Sequence, residues 1–353
     1  MPNWVGDVVM ATPLLAALRR RFPEARIEAA LSPHLAPLLS GFEGLDGLRP
    51  IARGKGLPAI LRAASVLRAG RFDLALLLAN SFRSAAEAFL ARIPQRRGYA
   101  GDGRRLLLTE SAPRHRGADG RIRPLPMVDY YLDLAAGLGI ETRDRRYRLP
   151  LLEVDEALVD AWLAEQGHEA GTALFGLNPG ASFGASKLWR PDRFAAVGDQ
   201  LQERLGARAV LIGGPGERDL LREVAAAMRL PPLGGPDRIL ALGPLRALIA
   251  RFRLLVTTDT GPRAMAQAFG VPHVVLMGPT HPGWTDANNE KARILRHEVP
   301  CGPCHKKVCD LDHACMERIA VAEVLGAAEA LLAGLESRDP KARPTPPPAS
   351  DKV

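Results

Sequence analysis

The sequence has no long hydrophobic run and almost no cysteine. No stretch approaches the roughly 20 consecutive apolar residues that cross a bilayer, and residues 1–7 lack the basic and apolar regions of a signal peptide. All four cysteines lie between residues 301 and 315, which excludes a chain-wide disulfide framework. We therefore expect a cytoplasmic protein.

Lysine and aromatic residues are also scarce. Seven of the 47 basic residues are lysines, which leaves 40 arginines, and aromatic residues make up only 5% of the chain. The net charge of +8 favours a polyanionic partner such as phosphate, nucleic acid or anionic lipid, although an arginine-rich genome produces the same bias. Because the basic residues are not interleaved with aromatics and no known nucleic-acid module is present, we expect no nucleic-acid partner.

Short apolar runs alternate with helical patterns along the chain of 353 residues, a length that suggests two domains. Predicted strands cover residues 26–31, 73–79, 173–178, 208–213, 254–258 and 273–277, and predicted helices cover 11–21, 59–67, 84–91, 194–204, 245–251, 264–269 and 321–335. This alternation is typical of parallel sheets built from βαβ units. It predicts an α/β protein with two Rossmann-like, doubly wound domains, residues 1–155 and 156–335, that face a central cleft. A disordered tail rich in proline and charge is predicted over 336–353.

The beginning of the chain departs from this pattern. A doubly wound domain normally opens with a buried strand, whereas residues 3–7 are followed directly by a predicted helix, with Thr12 as its N-cap and Pro13 at its first position. Either the fold lacks its first strand or the recorded start lies downstream of the true one, and we favour the second explanation. The apolar run from Asp73 to Ala79 predicts a central strand buried on both faces.

Ligands of open parallel sheets bind outside the carboxyl ends of the strands, at helix N-termini, and four loops are predicted there. The first contains Gly6 and Asp7. Glycine permits close backbone approach, and a carboxylate facing the cleft could act as a base. Asp7 could equally cap the helix, and the spacing alone favours the cap.

The second loop, residues 178–189, is rich in small residues and contains Lys187. A phosphate cradle needs free backbone amides and a compact cation, and this segment supplies both. The GxxxxGK[ST] pattern of a P-loop is absent. A lone lysine in a loop is usually just solvated, but the rarity of lysine in this chain gives the two explanations equal weight.

The other two loops also follow predicted strands. In residues 213–217, Glu217 could accept hydrogen bonds from ribose hydroxyls, or could simply be a favourable charge at a helix N-terminus. Residues 257–262 combine hydroxyls and a glycine before a helix, which is a good candidate for anion binding. Together the four loops indicate a nucleotide-diphosphate ligand.

Several of these motifs, in this order, resemble those of glycosyltransferase family 9, the heptosyltransferases of lipopolysaccharide core assembly. In detail, they are most similar to the heptosyltransferase II type. The similarity covers about residues 1–332. The segments that carry it are Asn3–Asp7, Ala11–Pro13, Asn80–Ser84, Gly98–Tyr99, Asn178–Ala181, Lys187–Trp189, Gly213–Glu217, Asp259–Gly261 and Pro300–Cys304.

The resemblance implies a GT-B fold, in which two Rossmann-like domains enclose the active site. It implies ADP-L-glycero-β-D-manno-heptose as the donor and heptosyl-Kdo-lipid A, through its inner-core heptose, as the acceptor. The implied reaction inverts the anomeric configuration and needs neither a metal nor another cofactor. The acceptor would bring the enzyme into peripheral contact with the cytoplasmic face of the inner membrane.

Carried over by position, the resemblance assigns roles to individual residues. Asp7 would be the general base that deprotonates the acceptor hydroxyl. Lys187 would neutralise the diphosphate leaving group, and Glu217 would hold the ribose. Thr260 and Gly261 would donate backbone amides to the phosphates. Further candidates for donor binding are Gly6, Ser182, Thr258 and Asp259.

One position departs from the family pattern. The family usually has a histidine three residues after the glycine of Asp-Thr-Gly, and Ala264 stands there in this chain. Loss of one charge-assisted contact to phosphate would cost about 1.5–3 kcal/mol. The alternative function is therefore a weakened or inactive homologue that binds a nucleotide or glycan without turnover.

The cysteines at 301, 304, 309 and 315 form the pattern CxxC-x4-C-x5-C, with His305 and His313 nearby. Such a set could hold zinc, although the spacing is not that of a standard finger. Reduced or locally paired thiols are the favoured alternative.

Overall fold

The computed structural model describes residues 1–112, 115–117, 120 and 122–336. The tail predicted over residues 336–353 lies outside the described residues except for its first residue, which ends the last helix. Within the described part of the chain, no helix is both long and apolar enough to cross a membrane.

Helices and short parallel strands alternate through both halves of the chain. In order, the first half contains α1 (Val5–Met10), α2 (Thr12–Arg21), β1 (Glu28–Leu31), α3 (Ala36–Leu39), β2 (Gly47–Pro50), α4 (Gly56–Ala69), β3 (Leu74–Leu77), α5 (Phe82–Leu90), β4 (Gln95–Tyr99), β5 (Glu110–Ala112) and α6 (Met127–Ala136). The second half contains α7 (Glu153–Ala164), β6 (Leu174–Asn178), α8 (Pro191–Leu205), β7 (Arg208–Leu211), α9 (Arg218–Ala227), β8 (Leu233–Gly234), α10 (Leu242–Ala250), β9 (Phe252–Thr258), α11 (Gly261–Phe269), β10 (His273–Leu276), β11 (Ala292–Leu295), α12 (Ala314–Glu317) and α13 (Val321–Glu336).

The second half forms one parallel sheet of six strands in the order β11-β10-β9-β6-β7-β8. Every residue of the central strand β6 is buried, as a strand covered by helices on both faces requires. From β6 the following strands β7 and β8 are added on one side of the sheet, whereas β9, β10 and β11 are added on the other. The loops after β6 and β9 therefore lie side by side at the carboxyl edge of the sheet. The predicted α/β architecture with parallel sheets is confirmed.

The first half is divided into two smaller parallel sheets, β1-β2 and β3-β4-β5. No strand lies within residues 1–27, all of which the structure describes. The prediction that the apolar run over residues 73–79 is a strand buried on both faces is only half right. The strand forms, but all four residues of β3 are partly exposed because β3 ends its sheet on the side that faces β1.

The predicted N-cap at the start of α2 is wrong. Ala11 occupies the cap position and Thr12 is already helical, because α1 runs almost directly into α2. The Thr12 hydroxyl donates instead to the carbonyl of Val9, at 2.7 Å, and accepts a hydrogen bond from the backbone N–H of Arg148. Thr12 therefore ties the first two helices to the segment that leads to the second half.

The two halves meet through helices α1 and α11 and through one buried arginine. A Cβ on Gly261, the first residue of α11, would lie 2.7 Å from Cβ of Val5, so the two helix N-termini approach closely only because residue 261 is glycine. On α10, Arg246 is fully buried and donates to the carbonyls of Leu38 and Ser40 in the first half. Its other amino group donates to Asp155, at 2.9 Å. These contacts fix the loops of the two halves opposite each other.

Candidate functional site

Asp7 lies in the first turn of α1, where the two halves meet. The N-cap of this helix is Trp4, and Asp7 makes no capping hydrogen bond, so the explanation of Asp7 as the helix cap is wrong. Burial raises the pKa of Asp7 to about 6, although a hydrogen bond from Tyr131 and the charge of Lys187 both act to lower it. A carboxylate with a pKa near neutrality is suited to accept a proton.

Lys187 is buried, although it lies in the loop between β6 and α8. Its Nζ donates to the backbone carbonyl of Asp259 at 2.7 Å and to the Asp259 carboxylate at 2.9 Å, and it lies 5.3 Å from the centre of the Phe183 ring. The explanation of Lys187 as a merely solvated loop lysine is therefore wrong. Asp259 comes two residues before α11, and α11 packs against α1, which carries Asp7, so the cation and the Asp7 carboxylate lie on the same side of the contact between the halves.

Asp259 holds this cation rather than facing outward. Its carboxylate accepts from Lys187, from Arg263 at 2.7 Å and from the Thr280 hydroxyl at 3.0 Å. Burial alone would raise the pKa of Asp259, but the charges of Lys187 and Arg263 outweigh it and lower the pKa to about 2. The carboxylate is thus ionised and occupied, which makes it a positioning group for Lys187.

Arg263 was not identified from the sequence. It lies four residues after Asp259, a spacing at which two side chains near the start of a helix can form an ion pair. This spacing is the feature of the sequence that could have indicated the contact. Its guanidinium is buried and also contacts Thr285 and Asn289. Tyr131, beside Asp7, gave no local signal because it comes from α6, more than a hundred residues away.

The N-terminus of α11 begins at the carboxyl end of β9, with Thr260 as its N-cap. The Thr260 hydroxyl accepts from Asn178 at 2.9 Å, which joins the loop after β9 to the end of β6. The hydroxyl of Thr258 is buried and donates to the carbonyl of Gly180 at 2.5 Å. Thr258 therefore stabilises the loops, whereas Thr260 and Gly261 lie where the helix begins and its N–H groups are available to an anion.

Glu217 packs against the loop that follows β6. Its carboxylate accepts from the backbone N–H of Gly214 at 2.6 Å and from that of Ala181, and a Cβ on Gly180 would lie 2.2 Å from it. Burial raises the pKa of Glu217, and no cation among the described residues pairs with it. Ser182, in the same loop, is exposed, and its hydroxyl has no hydrogen bond to any described residue.

The cysteine-rich segment braces the loop that carries Lys187. The backbone N–H of Ser186 donates to the carbonyl of Lys307 at 3.0 Å, the Ser186 hydroxyl donates to the carbonyl of Lys306, and the ring of His313 bonds the carbonyl of Ser186 at 2.7 Å. A Cβ on Gly184 would lie 2.3 Å from the carbonyl oxygen of Lys307. The sequence offered no sign of this packing.

The four cysteines, Cys301, Cys304, Cys309 and Cys315, are free thiols. Among the described residues, which include the whole of 301–315, no three histidine, cysteine or acidic side chains are grouped so that they could hold a metal ion. Burial raises the pKa of the Cys315 thiol. The segment contacts the Lys187 loop through the carbonyls of Lys306 and Lys307 and through the ring of His313.

Ala264 lies on α11, one turn from the helix start, and is buried. Its methyl group offers no hydrogen bond where the family pattern places a histidine. The guanidinium of the neighbouring Arg263 contacts Asp259, Thr285 and Asn289.

Comparisons with known proteins agree with this arrangement. Residues 60–315 match the profile of glycosyltransferase family 9 (heptosyltransferase). The chain is 32% identical to lipopolysaccharide heptosyltransferase 2 of Salmonella typhimurium over 305 residues, which are 84% of this chain and 86% of that protein. Lipooligosaccharide heptosyltransferase 2 of Haemophilus influenzae is 30% identical, over 84% of this chain and 86% of its own.

Solved structures show the same fold. The structure of E. coli ADP-heptose lps heptosyltransferase II matches with a TM-score of 0.76 and 27% identity, over 95% of this chain and 98% of that one. The glycosyl transferase family 9 protein of Veillonella parvula matches with a TM-score of 0.81 and 24% identity, over 95% of both chains. The fold is GT-B, and the chain belongs to glycosyltransferase family 9, the heptosyltransferases, and is a glycosyltransferase.

Proposed function

We propose that this enzyme transfers L-glycero-D-manno-heptose from ADP-heptose to the inner-core heptose of lipopolysaccharide, with inversion and without a metal. The observation that carries the proposal is the place of Asp7, a buried carboxylate of raised pKa on α1, where α1 packs against the N-terminus of α11 and the charge of the buried Lys187 acts on it. The names of the relatives, which are lipopolysaccharide and lipooligosaccharide heptosyltransferases 2, support the same substrates.

Asp7 acts as the general base in this proposal. The acceptor hydroxyl gives its proton to the Asp7 carboxylate as its oxygen forms a bond to the anomeric carbon of the heptose. The bond between that carbon and the diphosphate oxygen breaks on the opposite face, and ADP leaves with the electron pair. Attack from the face opposite the leaving group inverts the anomeric configuration.

Lys187 and the N-terminus of α11 stabilise the departing diphosphate. Negative charge develops on the leaving oxygen, and a preorganised cation with backbone N–H groups stabilises it without reorganisation. Asp259 holds the Lys187 ammonium group in place, through contacts of 2.7 and 2.9 Å. Thr260 and Gly261 lie where backbone amides would meet the phosphates, and Gly6 allows the backbone of α1 to approach them.

The nucleoside end of the donor is assigned to the loops after β6 and β7. Glu217 has a carboxylate without a cation partner among the described residues, which suits it to accept hydrogen bonds from ribose hydroxyls. The free hydroxyl of Ser182 adds a further donor or acceptor at the same loop. Thr258 contributes through the loop geometry it holds, since its hydroxyl is bonded to Gly180.

In this proposal the two halves bind different substrates. Residues 1–155 bind the acceptor, heptosyl-Kdo-lipid A, and residues 156–335 bind the nucleotide sugar. Since the acceptor is an anionic lipid, the net charge of +8 favours peripheral contact of this cytoplasmic enzyme with the inner membrane surface. No nucleic acid and no other cofactor takes part.

The test is to incubate the protein with ADP-heptose and a heptosyl-Kdo-lipid A acceptor, and to measure ADP release and the mass of the product. We expect the acceptor to gain one heptose, ADP release to depend on the acceptor, and a chelator to leave the rate unchanged. ADP binding without turnover would overturn the proposal and favour the alternative function, a homologue inactivated by changes such as Ala264. A rate abolished by the chelator would contradict the metal-independent mechanism alone.

A further inference from the structure

Exposed apolar side chains are concentrated on one side of the first half. Among the described residues, thirteen large apolar side chains are exposed, and six of these lie between residues 57 and 106. Five of the six define a surface that we call the α4–α5 face: Leu57 and Leu61 on α4, Phe82 and Phe89 on α5, and Leu106 in the short helical turn Arg104–Leu107. Single exposed apolar residues are normal on a protein surface, but a cluster of them marks an interaction site.

The two helices of this face bury small side chains and expose large ones. Every fully buried residue of α4 and α5 is an alanine: Ala59, Ala63, Ala64, Ala85, Ala86 and Ala88. A surface helix normally turns its large apolar side chains inward and its polar side chains to water. Here Leu57 is 62% exposed and Phe82 is 51% exposed, so their apolar surface is available to a partner.

The elements of the face are held side by side, so its apolar side chains form one surface. Arg83, at the start of α5, donates to the carbonyl of Gly54, just before α4. Arg68, near the end of α4, donates to the carbonyl of Leu90 at the end of α5, at 2.5 Å. The helix α5 also packs against the turn that carries Leu106. The face therefore extends from α4 across α5 to this turn.

The segment that forms the face carries the positive charge of the chain. Residues 47–109 contain twelve arginine or lysine residues and three acidic ones, a net charge of +9 against +8 for all 353 residues. No acidic residue occurs from 47 to 72, a range that includes all of α4. On α5 the single acidic side chain, Glu87, is paired with Arg83 at 2.6 Å. The face is therefore both apolar and basic.

Exposed cations accompany the apolar side chains. Arg62 on α4, Arg92 after α5 and Arg105 in the turn are exposed and form no ion pair with any described carboxylate. The guanidinium of Arg96 lies 5.4 Å from the centre of the Phe89 ring. This combination is typical of surfaces that lie on anionic bilayers, where cations contact lipid phosphates and apolar side chains enter the boundary between headgroups and acyl chains.

A second copy of this chain is a poorer occupant of the face. Two copies that met through it would bring two segments of net charge +9 together, and like charges in contact oppose association. An anionic bilayer offers hydrocarbon for the leucine and phenylalanine side chains and negative charge for the arginines. One partner then satisfies both properties of the face.

We propose that the α4–α5 face docks on an anionic phospholipid bilayer, with Leu57, Leu61 and Leu106 inserted at the headgroup boundary and the flanking arginines on lipid phosphates. Leu57 and Phe82 lie in the first turns of α4 and α5, which follow the carboxyl ends of β2 and β3, the edge of a parallel sheet at which ligands bind. Docking thus brings the ligand-binding edge of the first half close to the bilayer. The choice of a lipid partner rests on the proposed function, in which the acceptor is a lipid, but the docking itself needs neither substrate.

Vesicle sedimentation tests the apolar part of the face. The protein is mixed with vesicles of phosphatidylethanolamine and phosphatidylglycerol, or of phosphatidylcholine alone, and the bound fraction is measured. We expect the anionic vesicles to bind at least about tenfold more tightly than the neutral ones, and the binding to weaken as salt rises. The triple variant Leu57→Ser/Leu61→Ser/Leu106→Ser should lose at least about tenfold in affinity for the anionic vesicles. The control is Val154→Ser/Leu158→Ser, two exposed changes on α7 in the second half, which should bind as the unmodified protein does.

A second pair of variants tests where the charge lies and not how much of it there is. Arg62→Gln/Arg105→Gln and Arg143→Gln/Arg222→Gln each remove two exposed positive charges. We expect the first to weaken binding to anionic vesicles by at least about fivefold and the second to weaken it by less than about twofold. Because all the changed side chains are exposed, the thermal midpoint of every variant should stay close to that of the unmodified protein.

Several results would overturn the inference. They are no binding of the unmodified protein to anionic vesicles, unchanged binding in the triple variant, and equal losses in the triple variant and in the α7 control. A dimer of the unmodified protein that the triple variant dissolves, measured by sedimentation velocity, would assign the face to a second copy instead.

Failure of the proposed function would give a different result. Transfer to an acceptor without its acyl chains needs no bilayer, so the triple variant should act on this soluble acceptor as fast as the unmodified protein. Vesicle binding through the face without transfer to either acceptor would overturn the proposed function and leave the docking surface. Transfer to the soluble acceptor without vesicle binding would overturn the docking surface alone.

Discussion

The ammonium group of Lys187 donates to both the carbonyl and the carboxylate of Asp259, at 2.7 and 2.9 Å, although the two residues are 72 positions apart. Both groups are buried. Lys187 and Arg263 together carry two positive charges against the single carboxylate of Asp259, which leaves a net positive charge beside the N-terminus of α11, where the helix dipole also favours an anion such as a diphosphate. Removing Lys187 should therefore affect donor binding more than it affects the fold, because Arg263 and Thr280 still contact Asp259.

Replacing the lysine tests its role in donor binding. We expect Lys187→Met to weaken ADP binding by about 1.5–3 kcal/mol, the range for a hydrogen bond to a charged group, which is roughly 10-fold to 150-fold in Kd. Arg263 and Thr280 still hold Asp259 in this variant, so the fold should persist. Calorimetric titration with ADP measures the change. Lys291→Met is the matched control, because Lys291 is exposed and directly precedes β11, at the amino edge of the sheet; equal losses in the two variants would remove Lys187 from the donor site.

If Asp7 is the general base, its replacement should lower turnover without weakening donor binding. Asp7→Asn should lower kcat by about 10²-fold to 10⁴-fold, the usual contribution of a general base, while ADP affinity changes little. Steady-state kinetics and ADP titration on the same preparation measure both quantities. The exposed Asp219→Asn on α9 is the control and should be as active as the unmodified enzyme. A normal kcat in Asp7→Asn would show that the carboxylate is not the base.

The raised pKa of Asp7 predicts a pH dependence. The base must be ionised, so kcat/KM should fall as the pH drops below about 6, the pKa of Asp7. The hydrogen bond from Tyr131 lowers this pKa, and its removal in Tyr131→Phe should therefore move the acidic limb of the profile to higher pH. An unmoved limb in Tyr131→Phe would assign the titration to another group.

The same carboxylate should destabilise the folded protein at neutral pH. A pKa raised from 3.8 to about 6 means that the folded state binds the proton more tightly, so stability is lost as the pH rises through that interval. Asp7→Asn removes this penalty, and its thermal midpoint should exceed that of the unmodified protein by more at pH 8 than at pH 5. A difference independent of pH would contradict the shifted pKa.

Glu217 is expected to act on the nucleoside and not on the phosphates. Glu217→Gln should weaken ADP binding by up to about 1.5 kcal/mol, roughly tenfold, but should leave inhibition by inorganic pyrophosphate unchanged. Glu223→Gln, an exposed change on α9, serves as the control. Equal loss of ADP and pyrophosphate binding would place Glu217 near the diphosphate.

The contact between the halves depends on Arg246. Arg246→Ala leaves Asp155 buried without its cation and frees the carbonyls of Leu38 and Ser40, so the free energy of unfolding should fall by about 3–5 kcal/mol. Arg251→Ala breaks an ion pair with the exposed Asp160 and should cost no more than about 1 kcal/mol. Urea unfolding of both variants measures the difference, and equal costs would show that Arg246 is not a structural tie.

The sequence by itself determined the alternation of strands and helices, because hydrophobic periodicity is local. It also singled out Lys187 and Glu217, which lie in segments that follow β6 and β7, and Asp7, which lies in the first turn of α1 and not in the loop that the sequence predicted there. The predicted ends of the helices and strands differ from the observed ones by a few residues. For example, α8 begins at Pro191 instead of residue 194. The predicted N-cap of α2 is wrong because α1 ends at Met10 and leaves only Ala11 before α2, and the Thr12 hydroxyl is bonded to Val9 and Arg148 instead.

Only the tertiary structure decided what these residues contact. The partner of Lys187, the occupied hydroxyl of Thr258 and the bracing of Ser186 by residues 306–307 all depend on which loops become neighbours. Sequence periodicity specifies which face of an element is apolar, but hydrogen bonds and ion pairs form over a few ångströms, and the fold alone brings residues 72 positions apart to that distance.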